Sequence, residues 1–539
     1  MNVTRSDWER YFPFDRIRPQ QADAIDAALH AFLSDRKKYC ILQGETGVGK
    51  SAIAVTIARV LASMNNVDGL RSDGAYVLTT QKILQQQYID DFSSIGMHSI
   101  KSASSYPCSR AASSCGEIRR VLKVMKDRCD ASIADCKSDC KYLDEKRAFV
   151  SSMLGVTNYS YFLSETMYAG TLKPRQLLVC DEAHNIENSL SNHIQISFST
   201  RFAARMLEVK PPVRFDVLTA LGWVRDAYKP ALLVHIAETT AKISRALASE
   251  NVDELTLLAK ENERLDKHVC KVNRFLNDFV ESNWVLNVVD LSDGYHSLDF
   301  KPVDVSHFAD DRLFRFGEHV LCMSATILDH ETFCRSVGIP VKDAVFMRAP
   351  SPFSVENRLV HFMPVGSMSR KSIDETLPKL VEAIKIILEQ HKGEKGIIHA
   401  QSFRIANYIK SHVRSKRLLI HDSENRSAVL EQHKLSEKPT VLLSPSMAEG
   451  VDLAGDCSRF QIICKVPYPS LNDAVVVKRM KNDQRWYDLV TARTLIQSLG
   501  RSIRHEEDFA VSYILDGDWN RFYAKNKHMF SGDFEMSLR

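Results

Sequence analysis

A chain of 539 residues, 44% hydrophobic and 26% charged, has room for about three or four globular domains and is too apolar for a disordered tail. Its 71 basic and 67 acidic residues leave a net charge of +4, which neither marks a nucleic-acid binder nor excludes one with a local basic channel. No run approaches about 18 apolar residues, which argues against a membrane span, and the opening MNVTRSDWERYF lacks the apolar core of a signal peptide. An intracellular, cytoplasmic soluble protein is expected.

Short apolar runs ending in polar, Gly-containing turns recur along the chain: Tyr39–Gln43, Ala75–Thr79, Gln176–Cys180, His319–Met323, Lys395–His399, Thr440–Leu443, Gln461–Lys465 and Ala510–Leu515. Several lead into helical stretches such as Ser51–Ser63, and strands alternating with helices predict parallel α/β sheets. Two stretches break the alternation. In the first, about residues 101–147, lie five of the twelve cysteines: Cys108, Cys115, Cys129, Cys136 and Cys140. The other seven sit mostly in apolar runs and read as small core residues. In the second, about residues 190–295, no Gly occurs between Gly222 and Gly294. There Leu255, Leu258, Leu265, Val269, Val272, Leu276 and Phe279 recur at helical spacing, which predicts a long hairpin of helices packed through that stripe.

Three motifs carry chemistry. Gly44-Glu45-Thr46-Gly47-Val48-Gly49-Lys50-Ser51 follows an apolar strand and opens a helix, the context a phosphate-binding loop requires. Its glycines let backbone N–H groups turn around phosphate at a helix N-terminus, Lys50 reaches the β- and γ-phosphates, and Ser51 ligates Mg²⁺. The run Leu177–Cys180 ends in Asp181, Glu182, Ala183 and His184. Asp181 is placed to hold Mg²⁺, and Glu182 to orient and deprotonate water attacking ATP. The cysteine segment reads C-x6-C-x13-C-x6-C-x3-C without histidine, so four thiolates could hold Zn²⁺ or a [4Fe–4S] cluster; spacing alone does not choose.

A phosphate loop followed by DEAH resembles the superfamily 2 helicases. Ser324-Ala325-Thr326 looks like their motif III and Glu449-Gly450-Val451-Asp452 like motif V. Gln497-Ser-Leu-Gly500-Arg501-Ser-Ile-Arg504 matches the motif VI pattern, in which Arg501 and Arg504 would neutralise charge on the γ-phosphate oxygens; a structural ion-pair cluster is the alternative. Finer features resemble the XPD/DinG branch of iron–sulfur helicases. These are Phe12–Gln21, with Gln21 as the adenine contact, Cys140-Lys141-Tyr142, Thr157–Leu163, Ser351-Pro-Phe353 with Asn357-Arg358, and Val466-Pro-Tyr468. The resemblance runs from about residue 11 to 520. It departs at Lys141, where Pro is usual, and in offering five cysteines for four ligands.

The resemblance implies an α/β fold of two RecA-like parallel-sheet motor domains, at 1–330 and 331–539. The first would carry a Cys-rich cluster insertion at 101–147 and a helical arch insertion at 190–295. It implies a [4Fe–4S] cluster on Cys108, Cys129, Cys136 and Cys140, with Cys115 as the alternate to Cys129. It further implies an ATP-dependent DNA helicase, moving 5′→3′ on single-stranded DNA and opening forked or 5′-tailed duplexes, nucleoid-associated in a bacterial or phage setting and monomeric. Backbone contacts to DNA would come from Thr79-Thr80-Gln81-Lys82, Ser402 and Ser444, while Tyr159 and Tyr161 either stack on bases or pack in the core. A translocase or a protein or R-loop remodeller would share every motif. A nuclease-fused member is not expected, since the opening segment lies eleven residues from Met1, and intact ATPase residues argue against a non-enzymatic scaffold.

Overall fold

Each of the eight apolar runs is a strand of one of two all-parallel sheets in a computed structural model, which describes residues 4–64, 72–108, 140–249, 251–422, 424–445, 453, 455–503 and 507–539. The first sheet contains β1 (Tyr39–Gly44), β2 (Ser72–Thr79), β3 (Met97–Ser99), β4 (Leu154–Asn158), β5 (Arg175–Cys180), β9 (Gly317–Ser324) and β10 (Ala344–Ala349). Their order is β10-β1-β9-β5-β2-β4-β3. Every residue of β1 and β5 is buried, as expected of strands covered by helices on both faces. The second sheet runs β11-β16-β15-β12-β14-β13, built from Val360–Gly366, Val511–Asp516, Phe460–Ile463, Gly396–His399, Val441–Ser444 and Leu418–Ile420 respectively.

Two boundaries move. The first sheet does not stop at residue 330, because β10 pairs in parallel with β1 from Tyr39↔Ala344 to Gly44↔Ala349. Nor is the insertion at 190–295 purely helical. Helices Lys229–Ala248 and Val252–Asp278 pack against each other, and the predicted stripe buries Leu255, Leu265 and Val272. Alongside them β6 (Ile196–Ser199), β8 (His296–Pro302) and β7 (Trp284–Asp290) form a three-stranded antiparallel sheet that extends to Pro302. Leu298 and Phe300 are its buried inward residues, a period-two signal short enough to be overshadowed by the helical stripe beside it.

Of the cysteine segment, the described residues include Cys108 and Cys140, the latter directly before helix Lys141–Ser151. Arg175, only 1% exposed, ties the end of that helix to the first sheet. It donates to the carbonyls of Ala75, Phe149 and Val150 at 2.8–3.0 Å and lies 4.1 Å over the Tyr76 ring. Arg175→Ala strands three carbonyls away from water. A loss of at least about 3 kcal/mol is expected, read as a lowered urea midpoint with an unchanged slope.

Candidate nucleotide site between two parallel sheets

The loop after β1 turns through Gly47 and Gly49 at φ +87° and +80°, values that L side chains avoid. A Cβ on Gly49 would stand 2.4 Å from Gln21 Nε2, so the Gln21 amide rests against the loop. Gln21 is itself held by the Arg18 backbone N–H, which donates to its Oε1 at 2.9 Å, while the Arg18 guanidinium donates to the Gly47 carbonyl. Helix Lys50–Ala62 starts at the loop's last glycine, Gly49, with Ser51 in its first turn. Lys50 Nζ donates to the Gly44 carbonyl at 3.0 Å. Val48 is buried, and Glu45 and Thr46 lie at the loop's partly exposed rim.

Asp181 stands just past the end of β5, 8% exposed. Tyr88 donates to its Oδ2 at 3.1 Å and the Glu182 backbone N–H to its Oδ1 at 3.0 Å. Burial and the neighbouring Glu182 push its carboxyl up to about 6, against the pull of Lys50, the Glu182 N–H and Tyr88. A carboxylate so penalised is set to gain from a cation. Glu182 sits in the left-handed region (φ +49°), a conformation costing about 1–2 kcal/mol, and its Oε2 lies 3.3 Å from His184 Nδ1.

His184 joins the two sheets. Its Nδ1 is 2.8 Å from Ser324 Oγ, and its Nε2 faces the side-chain amides of Asn185 at 2.9 Å and Gln497 at 2.8 Å. Burial, with Arg493, Lys50 and Arg501 nearby, holds the imidazole well below its ordinary value and therefore neutral. Two amide donors at Nε2 leave the ring proton on Nδ1, directed at Ser324 and Glu182. Gln497 also donates to Thr326 Oγ1 at 3.2 Å. Arg501 acts electrostatically on His184 and on buried His399, whose imidazole is lowered to about 4, chiefly by burial.

Arg493 carries no motif signal, whereas Phe353 and Arg358 belong to a signature that gave no hint of their partners. Arg493, one helical turn before Gln497, donates to the carbonyls of His184 and Thr326 at 3.3 Å. Arg358 pairs with Glu45 at 2.8 Å and Asp533 at 3.0 Å, and the Phe353 ring occupies the space a Cβ on Gly47 would need. Arg493 could have been found by extending motif VI back one turn along the same helix face.

Other expected residues are placed differently. Tyr159 is 2% exposed and donates to the Asp181 carbonyl at 3.0 Å, which makes it a core residue of the site rather than a base-stacking one. Tyr161 hydrogen-bonds Tyr142 across 3.1 Å. Ser444 is 1% exposed with its Oγ 3.1 Å from His421 Nε2, so as it stands it offers no surface to DNA. Thr79 is buried, whereas Gln81 and Lys82 are exposed past the end of β2, and Ser402 caps helix Phe403–Val413. Cys140 is buried and Cys108 half-buried. Cys115, Cys129, Cys136, Glu449, Gly450, Asp452 and Arg504 lie outside the described residues, and among those described no group of three His, Cys, Asp or Glu could hold a metal ion. No described helix is long and apolar enough to cross a membrane.

Residues 386–534 match the family described as helicase C-terminal domain, and residues 15–209 match the type III restriction enzyme res subunit. The chain is 28% identical over 265 residues to the ATP-dependent DNA helicase DinG of Photobacterium profundum, a match spanning 45% of this chain and 38% of DinG. It is 21% identical to a probable ATP-dependent helicase of Methanocaldococcus jannaschii, covering 98% of this chain and 96% of that protein. A solved XPD helicase superposes with a TM-score of 0.63 at 15% identity, over 96% of this chain and 98% of its own. The Xpd4 structure of S. tokodaii gives 0.57 at 14%, over 97% and 99%. The phosphate loop, DEAH and Gln497 motifs meet between two parallel sheets, and in family matches and fold the chain is similar to the XPD/DinG type of superfamily 2 helicases.

Proposed function

We propose that the protein is an ATP-dependent DNA helicase that moves 5′→3′ along single-stranded DNA and separates forked or 5′-tailed duplexes. The observation that carries this reading is the neutral His184, which touches the DEAH carboxylate Glu182, Ser324 of the first sheet and Gln497 of the second-sheet unit. A change on the γ-phosphate side of Glu182 therefore has a hydrogen-bonded route to the second sheet. The relatives' names support the same activity.

In this mechanism the phosphate loop cradles the triphosphate, Lys50 meets its β- and γ-oxygens, and Gln21 reads the adenine. Ser51 and Asp181 would hold Mg²⁺, which when bound neutralises charge on the β- and γ-phosphates. The raised Asp181 carboxyl fits that role, because a nearby dication restores its ionised form. Glu182 orients and deprotonates the attacking water. Arg501 and Arg504 would stabilise charge that builds in the transition state, as the motif VI resemblance implies. Glu449, Gly450 and Asp452 would join the nucleotide-binding residues, as the motif V resemblance implies. DNA-stimulated ATP hydrolysis tests this: wild type should hydrolyse ATP faster with single-stranded DNA, and Lys50→Ala should not hydrolyse it.

A [4Fe–4S] cluster belongs to the same reading. Cys108 is half-buried and Cys140 buried, and with Cys129 and Cys136 (Cys115 as the alternate to Cys129) they would supply the four thiolates. Such a cluster would serve as a rigid cross-link for the segment. Cys→Ser at Cys108, Cys136 or Cys140 should lower iron from about four per chain to near zero, since a hard hydroxyl replaces a soft thiolate. One equivalent of zinc without iron would replace this assignment with the zinc alternative.

A further inference from the structure

Helix Val252–Asp278 carries Lys260, Arg264, Lys267, Lys271 and Arg274. With 3.6 residues per turn these five fall within a sector of about 80°, roughly opposite the buried Leu265, and from Lys260 to Arg274 the stripe extends about 21 Å. Lys260, Arg264 and Lys267 are exposed, whereas Lys271 and Arg274 are part-buried. Local acids cancel the stripe only in part. Glu263 meets Lys267 at 2.9 Å, while Arg264 lies 5.8 Å over the Phe202 ring.

The stripe runs into a cavity walled by His193, Lys271, Arg274, Arg312, Asp278 and Trp284, with three apolar neighbours. Arg312 is engaged by Asp278 at 2.7 Å and Asp311 at 3.4 Å, and Arg274 donates to the Met167 carbonyl at 2.8 Å. Lys271 has no carboxylate within ion-pairing distance among the described residues, and burial alone pulls its ammonium below the usual lysine range. Burial and the three cations push His193 down to about 4, so it adds no charge of its own. Three basic side chains thus meet two carboxylates, Asp278 and Asp311, both drawn by Arg312. Trp284, 1% exposed in the same wall, has an indole N–H without a partner among the described residues. A buried donor left unpaired beside surplus positive charge calls for an anionic oxygen. The interior, about 20 Å³, admits one atom of that size and not a whole phosphate ion.

We propose that this helix face and the cavity at its end form a phosphate track for single-stranded DNA, one phosphodiester oxygen entering the cavity to meet Lys271 and the Trp284 N–H. The proposal rests on the helicase reading for its choice of partner. Small size favours a phosphodiester presented from the cavity mouth over an engulfed free ion.

The test is nucleotide-free binding of a fluorescein-labelled oligo-dT to the full chain by anisotropy across a salt series, so that ATP hydrolysis plays no part. Lys260→Gln and Lys271→Gln should each reduce the slope of log K against log salt by about 0.7, the value for one lost single-strand contact. Lys271→Gln should also weaken binding by about 10-fold. Trp284→Phe removes the donor together with part of the indole's bulk, so with an unchanged melting midpoint as the control for packing it should weaken binding with the slope unchanged. Wild-type binding with unaltered slope and affinity in Lys260→Gln and Lys271→Gln overturns the track and leaves the helicase reading standing. Failure of wild type to bind oligo-dT overturns both. Inorganic phosphate that changes tryptophan emission in wild type but not in Trp284→Phe, without displacing oligo-dT, would make the cavity a free-anion site and overturn the proposal.

Discussion

Glu182→Gln is expected to bind ATP as wild type does and to turn it over about 10²–10⁴-fold more slowly, the range set by removing a positioned general base. The substitution keeps side-chain length, so the left-handed backbone at φ +49° and the approach to His184 survive. What disappears is the capacity to take a proton from water. Removing one of two adjacent carboxylates should also let Asp181 ionise more readily, because Glu182 is one of the two causes holding its carboxyl up near 6. Mg²⁺-dependent nucleotide binding should therefore be undiminished. Fluorescent-nucleotide affinity together with single-turnover hydrolysis checks both halves. Hydrolysis at the wild-type rate would move water activation to another residue.

Arg501→Ala should lower kcat by about 10³-fold or more while changing ATP affinity little. The charge of Arg501 already reaches the site, since it helps to keep both His184 and His399 neutral. Its strongest interaction, however, is with the negative charge that builds on the γ-phosphate oxygens during transfer. Steady-state kcat and KM separate the possibilities. A rise in KM with kcat unchanged would mean that Arg501 binds ground-state ATP and has no special part in the transition state.

The two sheets were legible because parallel strands buried on both faces leave continuous apolar runs, and all eight such runs are strands. The phosphate loop and DEAH were legible because their chemistry is local: Gly47, Gly49, Lys50, Asp181 and Glu182 act within a few residues of a strand end. Contacts between distant segments left no such trace. Motif VI one turn on marks the helix face of Arg493, but not that it will bond carbonyls more than 160 positions earlier, at Thr326 and His184. The pairings of Arg358 with Glu45 and of Tyr88 with Asp181 are equally silent in the sequence. The β10 strand was missed for a related reason. It lies beyond residue 330, where the first motor domain was expected to end, and only its return to β1 assigns it there. For Tyr159 the sequence left core packing and base stacking open, and its buried bond to the Asp181 carbonyl favours the first.

Strand separation on tailed duplexes tests the central claim most directly. Full-length, anaerobically handled protein would be mixed with Mg²⁺–ATP and duplexes bearing either a 5′ or a 3′ single-stranded tail, with release of the labelled strand followed over time. The account predicts ATP-dependent release from the 5′-tailed duplex, little from the 3′-tailed one, and none with Lys50→Ala. Robust DNA-stimulated ATP hydrolysis without release from either duplex would contradict it.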